Sequence, residues 1–164
     1  MVVLKKILDF YINSSLHVAL SAFALVSMTQ YFFGVQGDFS VAFFAFFGTV
    51  VGYNFVKYDA IARLNKTEIK KELKAIVFLS FISLLACFYF FLQLRWESKL
   101  SAFAFFGLTL LYTLPFFPNK QNARNWKGVK IYIVGITWVG VTVILPLVEA
   151  EIPFSKDVFL MALQ

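Results

Sequence analysis

The chain has 164 residues, of which 60% are hydrophobic, 20% aromatic and only 15% charged, with 22 Phe and a formal charge of +6; its mean hydropathy is +0.78. Soluble domains carry about a quarter charged residues and roughly half apolar ones, so the composition excludes an ordinary water-soluble domain and points to an integral membrane protein. The lone Cys87 lies in an apolar run and excludes a disulfide framework or a Cys-rich metal site. A single His17 excludes paired-histidine ligation within the chain, and the excess of Lys and Arg reads as membrane topology rather than as a nucleic-acid surface.

The first predicted element covers residues 2–12, where Val3, Leu4, Ile7, Leu8 and Tyr11 recur at helical spacing and Lys5, Lys6 and Asp9 lie elsewhere on the turn. That is the pattern of a short interfacial helix lying on a membrane. Asn13, Ser14 and Ser15 then offer N-cap side chains for the next helix. A membrane-spanning helix needs about 20 mostly apolar residues, and five segments qualify: 16–34, 39–56, 75–94, 100–117 and 129–148. Breaks separate them: a tight turn at 34–38, a connection at 93–99, and Pro115 with Pro118 closing the fourth. Trp96 and Trp126 fall at predicted interfaces. A sixth segment begins at Ser155 or Lys156, and the residues from there to Gln164 are too few, at about 1.5 Å each, to cross a core about 30 Å thick. The expectation is therefore an all-α, polytopic transmembrane helix bundle. Residues 1–164 form one transmembrane domain that is the N-terminal part of a longer polypeptide, whose missing C-terminal helices complete it. A stub that docks on the bundle is the alternative.

Loop charges set the expected orientation. With the 57–74 loop inside, the N-terminus and the 118–130 loop are inside too, and of the 15 Lys and Arg residues only Arg95, Lys99 and Lys156 fall outside. The excess of basic residues on the inner side gives a cytoplasmic N-terminus, and the expected location is the inner membrane of a bacterium.

Chemistry concentrates where the second span runs out into charge, at Asn54, Lys57, Asp59 and Arg63. Gly48 and Gly52, four apart on this span with Ala45 on the same face, form a small-residue pattern that lets another helix approach. One reading of the polar cluster is an Asp59–Arg63 surface ion pair worth a few tenths of a kcal/mol. The other is a binding site: Asn54 and Asp59 offer oxygen ligands to a hard cation such as Mg²⁺, which is commonly held by carboxylates together with substrate phosphates, and Lys57, Arg63 and Lys66 neutralise a diphosphate. A second polar constellation, 112–132, ends the fourth span and starts the fifth, with Tyr112, Lys120 and Arg124 on the same side. Basic residues there also satisfy the orientation rule by themselves. The sequence contains no Gly-rich phosphate loop, no His-Glu-x-x-His and no Cys-pair spacing.

The end of the second span, Gly52-Tyr53-Asn54 running to Asp59 and Arg63, and the end of the fourth, Tyr112-Thr113-Leu114-Pro115 with its basic loop, resemble the UbiA superfamily of intramembrane prenyltransferases. The resemblance implies a bundle of about nine helices, a count consistent with the short sixth segment, and transfer of an isoprenyl group from a prenyl diphosphate to a lipophilic aromatic or quinone-precursor acceptor. It implies Mg²⁺ on Asn54 and Asp59, diphosphate neutralised by Lys57, Arg63, Lys120 and Arg124, and Tyr112 near the reacting carbon; Asp59 and Tyr112 are the expected catalytic residues. The family's first motif runs Asn-Asp-x-x-Asp-x-x-x-Asp, whereas Phe55 follows Asn54 here, Asp59 comes one place late and Ala62 replaces a third carboxylate. Those departures favour the alternative of a non-catalytic membrane interaction subunit with a degenerate metal site. A membrane transport protein is a further alternative, for which a polar stripe through several spans is expected.

Overall fold

The computed structural model describes residues 2–35, 39–64, 71–113, 128–153 and 155–162, and all regular structure among them is helical. Helix α1 (Val2–Asn13) is followed by α2 (Leu16–Phe32), α3 (Ser40–Leu64), α4 (Lys71–Gln93), α5 (Trp96–Thr113) and α6 (Val129–Val139). A π-helical turn, Gly140–Ile144, carries α6 directly into α7 (Leu145–Glu149), and α8 (Lys156–Ala162) closes the described chain.

Three helical stretches are long and apolar enough to cross a membrane: Ser40–Tyr58, Leu73–Gln93 and Ile131–Glu149. They match the second, third and fifth expected spans. The first corresponds to α2, which at 17 residues is at the short end of spanning length and meets α1 at 62°. The fourth corresponds to α5, which begins at Trp96 rather than near Leu100. The expected 93–99 connection shrinks to Leu94 and Arg95 because Glu97 sits in the first turn of α5, where the helix dipole favours a carboxylate. The Lys99 ammonium reaches back to the Leu92 carbonyl at 3.0 Å. Large apolar side chains such as Phe78, Phe81, Leu85 and Phe88 on α4 face outward, as suits a helix with an apolar surrounding.

Helices α2, α3 and α4 pack side by side with α3 in the middle, and α6–α7 lies against α2 and α5. Their shared core is Val26, Val41, Ala42, Ala45, Leu94, Ala102 and Leu145, whose small members let helix backbones approach. The successive long helices alternate in direction, which gives the bundle two ends. At one, Ser40 Oγ bonds Gln93 Oε1 at 3.1 Å and the Arg95 amide donates to the Glu149 carboxylate at 3.1 and 3.2 Å. At the other, Lys57 and Tyr58 of α3 meet Asn13, where α1 gives way to α2. We call these the Arg95 end and the Asn54 end. Helix α8 docks at the former: Val158 packs with Val143 and Leu147.

The π-helical turn has a local cause. Pro146 has no N–H to give the Thr142 carbonyl, four residues back, and its ring crowds that carbonyl. The ladder widens, with the Leu145 N–H reaching Gly140 O, and the released Thr142 carbonyl accepts from Thr29 Oγ1 of α2 at 2.8 Å in a buried setting. Neither Pro146 nor Thr29 stands out in an apolar reading of the sequence. The close approach expected at Gly48 and Gly52 lies elsewhere. A Cβ at Gly48 would sit an ordinary 3.6 Å from Cys87 Sγ and one at Gly52 would meet nothing, whereas one at Gly140 would run into the ring of Phe105.

Candidate functional site

Helix α3 runs unbroken from Ser40 to Leu64, so its register fixes which residues share a face. At 3.6 residues per turn, Lys57 and Tyr58 lie about 60° and 40° to either side of Asn54, one turn further along, while the Asp59 position lies about 140° away. Asn54, Lys57 and Tyr58 thus form one face at this end of α3. The Asp59 position turns toward the next face, so a cation held by both Asn54 and Asp59 would have to lie between two directions of the helix and draw its remaining ligands from elsewhere.

Asn54 is 3% exposed. Its Nδ2 donates to Ser80 Oγ of α4 at 2.9 Å, and the Ser80 hydroxyl donates in turn to the Ile76 carbonyl at 2.9 Å. In this arrangement Ser80 accepts from Asn54, and the amide nitrogen faces α4. The opposite atom, Asn54 Oδ1, is buried and has no hydrogen-bond partner among the described residues. An unpaired buried carbonyl oxygen costs about 1–3 kcal/mol and calls for a water, an ion or a ligand donor. Ser27 and Ser98 hydroxyls are also buried without a partner, but each is a single hydroxyl, whereas Asn54 carries a full amide carbonyl at the end of an apolar helix.

Lys57 and Tyr58 turn toward α1. Lys57 Nζ lies 3.2 Å from the Asn13 carbonyl and 3.4 Å from Asn13 Oδ1, and Tyr58 Oη donates to the same carbonyl at 2.9 Å. The last carbonyls of a helix lack intrahelical partners and carry the negative end of its dipole, so a cation and a hydroxyl from α3 complete the end of α1. The capping expectation is corrected accordingly. Asn13 receives Lys57 instead of capping α2, and Ser14 Oγ bonds back to the Tyr11 carbonyl at 3.4 Å. Ser15, in the N-cap position, has φ 61° and makes no side-chain cap bond. A left-handed serine costs roughly 1–2 kcal/mol; the sharp bend between α1 and α2 accounts for it.

A further pair borders the same region: Trp138 Nε1 of α6 donates to Tyr53 Oη at 3.3 Å, with the rings edge to face at 6.4 Å. Sequence reasoning did not single out Ser80 or Trp138, and it read Asn13 only as a capping residue. The available signal was a polar atom inside or at the edge of an apolar helix, which becomes informative only when the facing helix is known.

Of the residues expected from sequence, the structure brings Asn54 to Ser80 and Lys57 to Asn13, and it sets Tyr112, half-buried, in the last turn of α5 at the Asn54 end. Tyr112 shares none of these hydrogen bonds. The backbone of Asp59 and Arg63 belongs to α3, but their side chains, like Lys66, Lys120 and Arg124, lie outside the described residues. Among the described residues no group of three or more His, Cys, Asp or Glu converges on a possible metal position. No family model matches the chain, and no curated protein and no solved structure matches it.

Proposed function

We propose that this chain is a membrane-embedded isoprenyl transferase of the UbiA type, with five spans, a cytoplasmic N-terminus and its donor site at the Asn54 end, in the inner membrane of a bacterium. The observation that carries the reading is the buried and unpaired Oδ1 of Asn54. An amide oxygen is a donor type that Mg²⁺ accepts; Asn54 would be one ligand, and Asp59, on the next face of α3, the carboxylate nearest in sequence. A bound Mg²⁺ would offset the charge of a prenyl diphosphate as its allylic C–O bond weakens. Ser80 accepts from the Asn54 amide nitrogen, which leaves the oxygen for the metal. Lys57, Arg63, Lys120 and Arg124 supply positive charge for the diphosphate, with Lys57 exchanging its Asn13 contacts to do so. Tyr112 stands at the same end beside the lipophilic acceptor.

A second reading is favoured by one observation: the Lys57 ammonium is engaged on Asn13. In a non-catalytic interaction subunit this cluster is a helix-end clamp, and the unpaired Asn54 oxygen binds water. Binding of a non-hydrolysable prenyl diphosphate analogue to the detergent-solubilised chain, with and without Mg²⁺, separates the two. Metal-dependent binding that is lost in Asn54→Leu and in Asp59→Asn supports the transferase. Binding indifferent to metal and to both substitutions, or no binding, leaves the subunit reading.

A further inference from the structure

The Asn13 contacts carry an inference about α1 in the chain without bound ligand. On the 100° step of an α-helix, Phe10, Ile7, Tyr11, Leu4, Leu8 and Ile12 occupy a continuous arc of about 200°, with Lys5, Asp9 and Lys6 filling the rest. Most of that arc is bare: Leu4 is 72% exposed and Ile7 61%, and Leu8, Phe10 and Ile12 are exposed as well, while Tyr11 is half-buried against the His17 ring. The far end of α1 is different, because Ser14 and Ser15 at the bend are almost fully buried. Helix α1 is therefore an outboard lever on a buried pivot.

Two features decide what the bare arc meets. The pivot lies level with Lys57 and Tyr58, and in the sequence Lys57 and Asp59 are where the apolar run of α3 gives way to charge. Helix α1 thus leaves the bundle at the level where the apolar surface ends, bent 62° from α2 and so nearer the plane of a bilayer crossed by α2 than its normal. Its charged residues include two lysines against one aspartate, which suits anionic headgroups. We propose that α1 is a docking helix for a lipid surface carrying anionic headgroups, and that Lys57 and Tyr58 preset its angle by holding the Asn13 carbonyl. The lysine and tyrosine are positioning residues here: they act on the bilayer contact through the end of α1. Without them the helix remains amphipathic but swings about the pivot, so its apolar arc loses a fixed depth.

Collision accessibility of single spin labels distinguishes the possible surroundings. The chain, with Cys87→Ser, is labelled at Leu8→Cys on the apolar arc or at Asp9→Cys on the polar one, and placed in nanodiscs of phosphatidylcholine and phosphatidylglycerol. Dissolved oxygen concentrates in lipid and a nickel chelate in water. The expected result is a several-fold oxygen preference at position 8, a nickel preference at position 9, and loss of at least half of that contrast in Lys57→Met/Tyr58→Phe, with Lys57→Arg retaining it. A label at Leu85→Cys on α4 checks the bundle; where that profile also changes in the double variant, Tyr58→Phe alone carries the comparison. Equal nickel accessibility at positions 8 and 9 would overturn the proposal. So would protection of position 8 from both reagents, the mark of a protein partner or a second copy, and so would a contrast unaffected by the clamp substitutions.

Discussion

The two ends of the bundle handle the same problem differently. At the Arg95 end, backbone groups released by irregular structure find protein partners. The α2 terminus closes with Gly34 at φ 71°, and the Gly34 and Val35 amides return to the Tyr31 and Gln30 carbonyls, the left-handed glycine termination that satisfies the last turn. The carbonyl that Pro146 leaves without a donor goes to Thr29. Arg95 gathers the α4–α5 corner, with its amide on Glu149 and its guanidinium on Glu151 and, at 3.7 Å, on Glu97. At the Asn54 end, an amide is buried with its oxygen unpaired, a serine takes a left-handed turn with no cap bond, and a lysine reaches across to another helix. At the first end the released backbone groups are met within the chain, while the Ser98 hydroxyl is buried there without a partner and Glu151 takes a left-handed turn of its own. At the second, polar capacity is left over, which is where a ligand gains most from binding.

Four substitutions test this contrast. Thr29→Val removes the donor to Thr142 O, which Pro146 cannot replace, so a buried carbonyl is left bare at a cost of about 1–3 kcal/mol. Unfolding in mixed micelles should show that loss, and Thr29→Ser should recover most of it; an unchanged midpoint would mean that the π-helical turn does not need its hydroxyl. Gly140→Ala pushes a methyl into the Phe105 ring, and overpacking of this kind costs about 1–3 kcal/mol. The far end of the ring can swing, which puts the expectation at the lower part of that range, and adding Phe105→Leu should relieve it.

The Asn54 end should respond differently. Asn54→Leu removes an unpaired oxygen as well as the bond to Ser80. Ser80 keeps its bond to the Ile76 carbonyl when Asn54 is removed, so the same unfolding measurement should show a loss no larger than about 1 kcal/mol, the lower edge of the cost of one unmatched buried group, while binding of the diphosphate analogue disappears. A destabilisation above about 1 kcal/mol, at the lower edge of the range for a lost buried partner, would make Asn54 a structural residue and remove the contrast between the ends. The smallest effect belongs to Arg95→Gln. The guanidinium is 41% exposed and Glu151 66%, and exposed ion pairs contribute about 0–1 kcal/mol. A loss under about 1 kcal/mol that fades further in high salt is expected, since the Arg95 backbone amide keeps its bond to Glu149.

The helical class was legible in the sequence because it follows from quantities that add along the chain. Apolar residues accumulate over 39–56, 75–94 and 129–148 whatever their neighbours are, and three helices stand there. The start of α5 was misplaced because Trp96 to Lys99 look like a polar loop, and only the corner contacts of Glu97 and Lys99 show why they are helical. The candidate site was legible in part. Asn54 was visible as a polar residue at the mouth of an apolar helix, and Lys57 as a charge beside it, but their partners Ser80 and Asn13 lie on other helices at sequence separations of 26 and 44.

By itself, then, the sequence determined an all-helical chain with stretches able to cross a membrane and a polar cluster where α3 leaves its apolar stretch. Hydropathy and helical spacing are local properties, and backbone groups in an apolar surrounding must bond within their own segment. Only the tertiary structure decided which polar atoms are spent and which are spare. Pro146 frees a carbonyl that Thr29 happens to face, Ser80 takes the amide nitrogen of Asn54 while its oxygen stays unpaired, and Lys57 meets the end of α1. Each outcome depends on what a neighbouring helix presents at one height of the bundle, and a hydrogen bond exists only where donor and acceptor arrive together within about 3 Å.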